Sequence, residues 1–278
     1  MKDNKTWSSK ADRPELDGGI QYHIRCAPGD IAKIVLLPGD PDRVPKISAD
    51  WDSFEEKGRN REHVTHTGIF EGVAISACST GAGGGSTASA MEGLASIGAE
   101  TFIRVGTTSG IQEGIKPGDL IISTGAVRYD GTSENYVAIN YPAVADYEVN
   151  LALIEACEKL GFTYHLGITA TTASFFCGQN RDGFGGYRQS WFETRYEDLR
   201  RANVINYEME AATVLTLANL FKLRAGAVFT AIGNRVTNEF SYEGIDKSIQ
   251  VASLAAVILD GWDKKKKEKG KKYYYPSL

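Results

Sequence analysis

The stretch from Cys78 to Gly110, CSTGAGGGSTASAMEGLASIGAETFIRVGTTSG, limits what this chain can fold into more than any other. An apolar run, Val73 to Ala77, leads into it, and Gly81, Gly83, Gly84 and Gly85 follow. Next come small, helix-compatible residues closed by Gly98. A second apolar run, Phe102 to Val105, carries Arg104 and breaks into Gly106-Thr107-Thr108-Ser109-Gly110. The pattern predicts a strand–loop–helix–strand–loop unit. Two such strand ends at the carboxyl edge of a parallel sheet leave backbone N–H groups free for an anion, and glycine lets a ligand approach closely. The glycines approximate a dinucleotide fingerprint, but the run ends in Ser86. The acidic residue due about 20 positions on would be Glu100, ahead of the second strand. A tight βα turn without any ligand also accounts for the run. Arg104 favours the anion, because a guanidinium inside an apolar run is costly to bury unless an anion meets it at the strand end.

The chain has 278 residues, 42% hydrophobic and 24% charged, which is ordinary for a globular protein. Its net charge of −4 gives no reason to expect nucleic acid as a partner. The one basic run, Lys264 to Lys272, reads as a solvated helix end or tail. Cys26, Cys78, Cys157 and Cys177 are far apart and lack metal-ligand spacing, as expected of free thiols in a reducing compartment. No apolar stretch is long enough to span a membrane and the polar N-terminus does not read as a signal peptide, so a cytoplasmic protein is expected.

Residues 1–19 are polar and aperiodic and read as a flexible N-terminal arm. Ile31 to Leu37 is a strand ending in Pro38-Gly39-Asp40-Pro41-Asp42-Arg43, which again sets a glycine and a basic residue at a helix start; a plain turn with a surface arginine reads equally well. Trp51 to Ala77 reads as antiparallel strands with a hairpin at Glu71-Gly72. Strands are predicted at Leu120–Arg128, Leu166–Ala173, Val204–Tyr207 and Ala225–Ile232. Helical spacing marks Val149, Leu153, Ala156 and Leu160, stopped by Gly161, and later Ile245, Ile249, Ala252, Ala256 and Leu259. Strands alternating with helices predict an α/β fold: a single domain over 20–263 with a mixed central β-sheet flanked by helices, followed by a basic tail at 264–278.

Three groups could do chemistry. Arg43, Arg61 and Arg104 are placed to meet an anion. Glu208 and Glu210 flank Met209 at a strand-to-helix junction, where two carboxylates can share a side while the chain is extended. They could engage diol hydroxyls and a cation, or simply complement a helix dipole. Gln179 and Arg181 obey the same alternation and together could read a planar ring bearing carbonyls and an N–H, with Phe175 and Phe176 as stacking surface. A polar surface loop is the competing reading. No Ser/His/Asp order, HExxH or P-loop lysine is present. The set suggests an anion, a sugar diol and a polar ring, without metal chemistry.

Taken together these pieces resemble the nucleoside phosphorylase family, and within it the uridine-cleaving branch. The matching segments are Leu37-Pro38-Gly39-Asp40-Pro41-Asp42-Arg43-Val44, Arg61-Glu62, Ser79-Thr80-Gly81-Ala82-Gly83-Gly84, Arg104 to Gly110, Gly178-Gln179-Asn180-Arg181, Asn206-Tyr207-Glu208-Met209-Glu210 and Asn234-Arg235. They run in the family's order from about Tyr22 to about Trp262. The resemblance implies the phosphorylase fold and reversible phosphorolysis of uridine to uracil and ribose 1-phosphate, extending to deoxyuridine or thymidine, in pyrimidine salvage. It implies a phosphate site at Gly39, Arg43, Arg104 and Thr107, with Arg61 reaching the phosphate of a neighbouring subunit. It implies ribose contacts from Met209, Glu210 and, across a dimer, His23. It implies a uracil pocket of Thr108, Phe175, Gln179 and Arg181, with Arg235 near a base carbonyl. The implied catalytic set is Arg104, Glu210, Gln179 and Arg181. Glu62 and Ser86 match positions that hold potassium at the dimer interface. No cofactor is required, phosphate being a substrate, and the assembly implied is a dimer-based homo-oligomer, usually a hexamer, with neither nucleic acid nor membrane as a partner.

Asn234 stands where purine-specific relatives carry an aspartate that supports protonation of the ring, and the Gly-Gln-x-Arg segment is the pyrimidine-specific feature. Phe176-Cys177 before Gly178 and Ala82 in the glycine loop depart from the family pattern. A nucleosidase or purine phosphorylase on the same scaffold, or a non-catalytic nucleoside-binding protein, are the alternatives. Arg43 and Arg104 argue against the nucleosidase, which needs no phosphate, and the intact set of Arg104, Gln179, Arg181 and Glu210 argues against the non-catalytic protein.

Overall fold

The computed structural model describes residues 11–278, so residues 1–10 of the expected arm lie outside the described residues. The remainder of that arm is not featureless. Glu15–Leu16 (β1) pairs antiparallel with Ile20–Gln21 (β2) across Gly18 and Gly19, both at positive φ (84° and 77°), so the expected boundary at residue 19 falls inside a small hairpin. The chain continues through Ile34–Pro38 (β3), Arg43–Ser48 (α1), Ser53–Asn60 (β4), His63–Phe70 (β5), Val73–Cys78 (β6), Gly84–Ser96 (α2), Thr101–Gly110 (β7) and Leu120–Tyr129 (β8). Then follow Ala143–Val144 (β9), Tyr147–Leu160 (α3), Tyr164–Thr172 (β10), Trp191–Arg201 (α4), Val204–Glu208 (β11), Ala211–Phe221 (α5), Arg224–Asn234 (β12), Glu239–Phe240 (β13) and Ile245–Glu268 (α6).

All strands after β2 form one mixed sheet of 11 strands. β3 lies between β6 and β7, parallel to both, so the loops after all three emerge at one edge. β5 and β4 extend the sheet antiparallel beyond β6. On the other side the sheet closes on itself. β7 pairs with β12 and β11, β12 with β8, β8 with β10, and β10 with β11, which makes a ring of strands. Closure of this kind removes exposed edges.

The ring explains one departure from expectation. Gly106 to Gly110 reads as a loop but is the second half of β7. There Gly106 to Thr108 pair with Phe229 to Ala231 of β12, while Ser109 and Gly110 pair with Tyr207 and Asn206 of β11. Partners on strands distant in sequence, β11 and β12, hold this glycine- and hydroxyl-rich segment extended. The β12 register slips between Ala231 and Gly233, so Ile232 is an extra, unpaired residue of a bulge.

Successive side chains of the central strands point to opposite faces. Leu36, Ile103 and Val105 join Ile122, Val228 and the apolar faces of α1, α3 and α6 in one core. Val35, Leu37 and Phe102 face α2 and α5 in a second. Asp146 caps α3 by accepting from the N–H groups of Glu148 (2.9 Å) and Val149 (3.1 Å), and Gly161 ends it at φ 69°. α6 runs through the expected tail boundary at 263/264. Its last turns place lysines where the helix dipole favours cations, and Lys266 bonds the buried Glu148. The chain then turns back so that Tyr274 stacks on Trp262, with ring centroids 3.9 Å apart and planes 8° from parallel. Among the described residues no helix is long and apolar enough to cross a membrane.

Candidate active site

A cleft of about 170 Å³ opens where the second half of β7, the end of β11 and the β12 bulge converge. It is lined by Arg104, Thr107, Thr108, Ser109, Phe175, Gln179, Tyr207, Glu208, Met209, Glu210 and Ile232. Arg104 lies on its floor, 5% exposed. One guanidinium nitrogen donates to the carbonyl of Leu37 (3.3 Å) and another to the Glu210 carboxylate. Its Nε is buried without a hydrogen-bond partner, and a carboxylate oxygen of Glu208 is 4.0 Å away. Glycines leave the room for this head. A Cβ on Gly39 would stand 3.3 Å from Arg104 Nη1, and one on Gly106 would stand 3.2 Å from Nη2 and 2.7 Å from the Phe229 ring.

Arg43 comes to the same place from α1. It is buried, and its Nη1 donates to the carbonyl of Val105 (3.3 Å). Burial, and then the charge of Arg104, lower its pKa. Arg61 is not there. It is exposed, at φ 53°, and lies over the ring of Tyr22 at 5.9 Å.

The two glutamates divide their work. Glu208 is the last residue of β11 and caps α5. Its oxygens accept from the N–H groups of Glu210 (2.8 Å) and Ala211 (2.9 and 3.0 Å) and from the Thr171 hydroxyl (2.5 Å). These donors favour the carboxylate, yet complete burial, and then the neighbouring Glu210, push the Glu208 carboxyl up to about 7. Glu210 reaches the glycine loop as well as Arg104, accepting from the Gly83 N–H at 2.5 Å. Met209, between them, faces the cleft.

Gln179 and Arg181 do meet, though not by strand alternation. Cys177–Gln179 is a single 3-10 turn and Asn180 is left-handed, which brings both side chains to one side. Arg181 donates to the Gln179 side-chain carbonyl, to the Phe175 backbone carbonyl (2.9 Å) and to the Ser109 hydroxyl (3.4 Å). Its guanidinium lies 4.1 Å from the Phe175 ring centre. Burial, and then Arg235, lower the Arg181 pKa to about 10. The Thr108 hydroxyl is committed, donating to the Tyr207 carbonyl (2.6 Å) and accepting from Asn206 (2.8 Å). Arg235 does not line the cleft; it donates to the backbone carbonyls of Gln179 and Asn180. Asn234 is turned away too. Its amide donates to the carbonyls of Gln112 (2.8 Å) and Ile115 (2.6 Å) and accepts from the Val236 N–H (2.7 Å).

His23 lies outside the cleft, edge-on to His63 at 6.4 Å, with its pKa lowered by burial and then by His63. Glu62 and Ser86 do meet. The Ser86 hydroxyl is bonded to a Glu62 oxygen (2.6 Å) and to the Thr80 carbonyl, and this first bond holds the Glu62 pKa down. The group offers only oxygen donors, the chemistry that suits a hard cation. Ser109, Tyr207 and Ile232 line the cleft without having been expected there. Their signal is positional: each sits at the carboxyl end of a strand that reaches the site.

The cleft thus gathers a buried arginine, two carboxylates and an amide–guanidinium pair on a mixed sheet closed into a ring. The chain belongs to the phosphorylase superfamily, whose family model matches residues 33–259. It is 57% identical over 268 residues to a protein of Thermococcus kodakarensis named uridine phosphorylase, covering 96% of this chain and 97% of that one. It is 41% identical over 240 residues to the uridine phosphorylase of Escherichia coli, covering 85% and 95%. A protein of Halorubrum lacusprofundi named guanosine phosphorylase is 37% identical over 235 residues, covering 84% and 91%.

Proposed function

We propose that this chain is a uridine phosphorylase, a pentosyltransferase that reversibly converts uridine and phosphate to uracil and ribose 1-phosphate. The observation that carries the reading is the floor of the cleft: Arg104 is buried with an unpartnered Nε, and Arg43 crowds it. Arg104 pairs with one carboxylate, Glu210, and a phosphate brings acceptors and charge for its free Nε and for the Arg43 head as well. The two relatives named uridine phosphorylase support uracil as the base.

Phosphate takes the place on Arg104 that Glu210 holds, with Gly39, Arg43 and Thr107 completing the cradle. Glu210, released, accepts from the ribose 2′ and 3′ hydroxyls, and Met209 packs against the sugar. As the C1′–N1 bond lengthens, the sugar gains oxocarbenium character, and phosphate below C1′ stabilises that charge and attacks. The electron pair of the broken bond leaves on uracil. Gln179 and Arg181 hydrogen-bond to the base more strongly as its charge builds. Phe175 supplies stacking surface, and Thr108 acts as a wall, its hydroxyl being already engaged.

The same reading includes a dimer-based homo-oligomer, up to a hexamer, in which His23 and Arg61 serve a neighbour's cleft; its support is that both lie outside their own. It includes potassium held by Glu62, Ser86 and the Thr80 carbonyl at that interface, a cytoplasmic role in pyrimidine salvage, and no other cofactor. The test is incubation of uridine with and without phosphate. Ribose 1-phosphate should form, and uracil released equally well without phosphate would sink the reading. Guanosine belongs in the same assay because of the guanosine-named relative. Asn234, committed to backbone partners, offers no acid to a purine ring, so guanosine should be the poorer substrate.

A further inference from the structure

Between the two side chains that face the base stands one that faces away from it. Asn180 is 3% exposed and left-handed (φ 60°, ψ 30°), and the chain reverses on it so that Gln179 and Arg181 reach the same cleft. Every handle of this residue except one is held. Its N–H donates to the Cys177 carbonyl (3.1 Å), its carbonyl accepts from Arg235 (3.3 Å), and its side-chain oxygen accepts from the Tyr207 hydroxyl (2.6 Å). Arg235 also holds the Gln179 carbonyl. Tyr207 is 1% exposed and pairs across the ladder with Ser109, whose hydroxyl accepts from Arg181. The loop is thus tied at two points to strands β7 and β11, which form the cleft, and at a third to Arg235 beyond β12.

We propose that Asn180 is a positioning residue for base recognition, hooked on the Tyr207 hydroxyl so that Gln179 and Arg181 are presented together. This rests on the functional reading above. The residue type fits both demands. Asparagine tolerates the left-handed region better than other non-glycine residues, and its carbonyl accepts a hydroxyl while carrying no charge. Glycine would keep the backbone and lose the hook. Aspartate would keep the acceptor. Phenylalanine at 207 would remove the donor and keep the ring.

The test is steady-state kinetics of Asn180→Gly, Asn180→Asp, Tyr207→Phe and the double variant Asn180→Gly/Tyr207→Phe, with melting temperatures and amide hydrogen exchange over residues 177–182. Asn180→Gly and Tyr207→Phe should each raise KM for uridine by about tenfold, the size of one buried hydrogen bond, and narrow the preference for uridine over thymidine. KM for phosphate should stay within about twofold, since Arg43 and Arg104 do not touch this hook. The double variant should be no worse than the worse single one, and Asn180→Asp should retain most of the wild-type KM. Exchange over 177–182 should quicken in Tyr207→Phe while β7 and β11 stay protected. An unchanged uridine KM in both single variants overturns the proposal. So does a phosphate KM or melting temperature that shifts in step with the uridine KM, which would mark general destabilisation. A wild-type protein inactive on uridine overturns the functional reading itself, a result that no variant is needed to recognise.

Discussion

Two arginines in this chain are buried at strand positions, and only one of them belongs to the cleft. Arg128, next to last in β8, spends its guanidinium on the Ser133 hydroxyl and the carbonyls of Val137, Ala138 and Tyr141, folding the loop that follows. Arg104 gives one terminal nitrogen to the Leu37 carbonyl and the other to Glu210, and keeps an unpartnered Nε. A guanidinium in an apolar run therefore marks either a loop anchor or an anion site, and what separates them is whether local carbonyls consume the donors. Replacing Arg104 by Ala should lower kcat/KM by about 2–4 kcal/mol of transition-state stabilisation, roughly 30- to 1,000-fold. Near-normal phosphorolysis in that variant would remove the phosphate site from this cleft. Glu210 makes the complementary case. Its carboxylate is bonded to Arg104, and on the proposed reading phosphate displaces it. Glu210→Gln should bind phosphate alone as tightly as the wild type or tighter, up to about tenfold by calorimetry, while turnover of uridine collapses. Weaker phosphate binding would show that Glu210 helps rather than competes. Gln179→Ala should erode the preference for uracil and leave phosphate affinity intact; unchanged base selectivity would take Gln179 out of the pocket.

At the scale of elements, what could be read from the sequence and what could not divide along contact range. The helices follow from 3.6-residue spacing and local stops such as Gly161, and the strands before each glycine loop from short apolar runs. The second half of β7 does not read as a strand because its two bounding glycines and Ser109 read as turn residues and outweigh the strand preference of Thr107 and Thr108. Its extension comes from ladders to β11 and β12, and no local pattern records those. The basic run is the helix end that the sequence allows, with most of its lysines exposed; what the pattern does not record is that Lys266 turns in to Glu148 and that Tyr274 folds back on Trp262. Of the expected site, the resemblance carried the residue names, while the orientations of Arg235 and Asn234 depended on loops distant in sequence. Strand β7 makes its own prediction. Gly106→Ala sets a methyl 2.7 Å from Phe229 and 3.2 Å from the Arg104 head. Overpacking of this kind costs about 1–3 kcal/mol, and the displaced guanidinium should raise KM for phosphate. A variant that melts lower yet keeps its phosphate KM would show that Arg104 tolerates the intrusion.

The molecule as a whole carries a tension between the stability of its fold and the readiness of its cleft, and pH exposes it. Glu148 and Asp263 have lowered pKa values despite their burial, through bonds to Lys266 and Arg224 respectively. Such groups stabilise the fold above their ordinary carboxylate pKa, and that contribution is lost as pH falls through their folded values. Glu208 has the opposite sign. Its pKa rises from 4.5 to about 7 on folding, because burial and then Glu210 oppose a second charge in the cleft. The folded state therefore binds more protons than the unfolded one between those values. The stability this group supplies is complete below pH 4.5 and is lost as pH climbs towards 7, by up to ~3 kcal/mol for a shift of this size. Above that range Glu208 carries its charge in a buried place beside Glu210, which is the tension set against the stability of the fold. Denaturant unfolding of wild type and Glu208→Gln in phosphate-free buffer at pH 5 and pH 8 checks this. The wild type should lose stability relative to the variant as pH rises, because glutamine cannot acquire the charge. A constant difference across that range, or one that grows in favour of the wild type, would mean that the donors on Glu208 outweigh its burial and that the cleft stores no such tension.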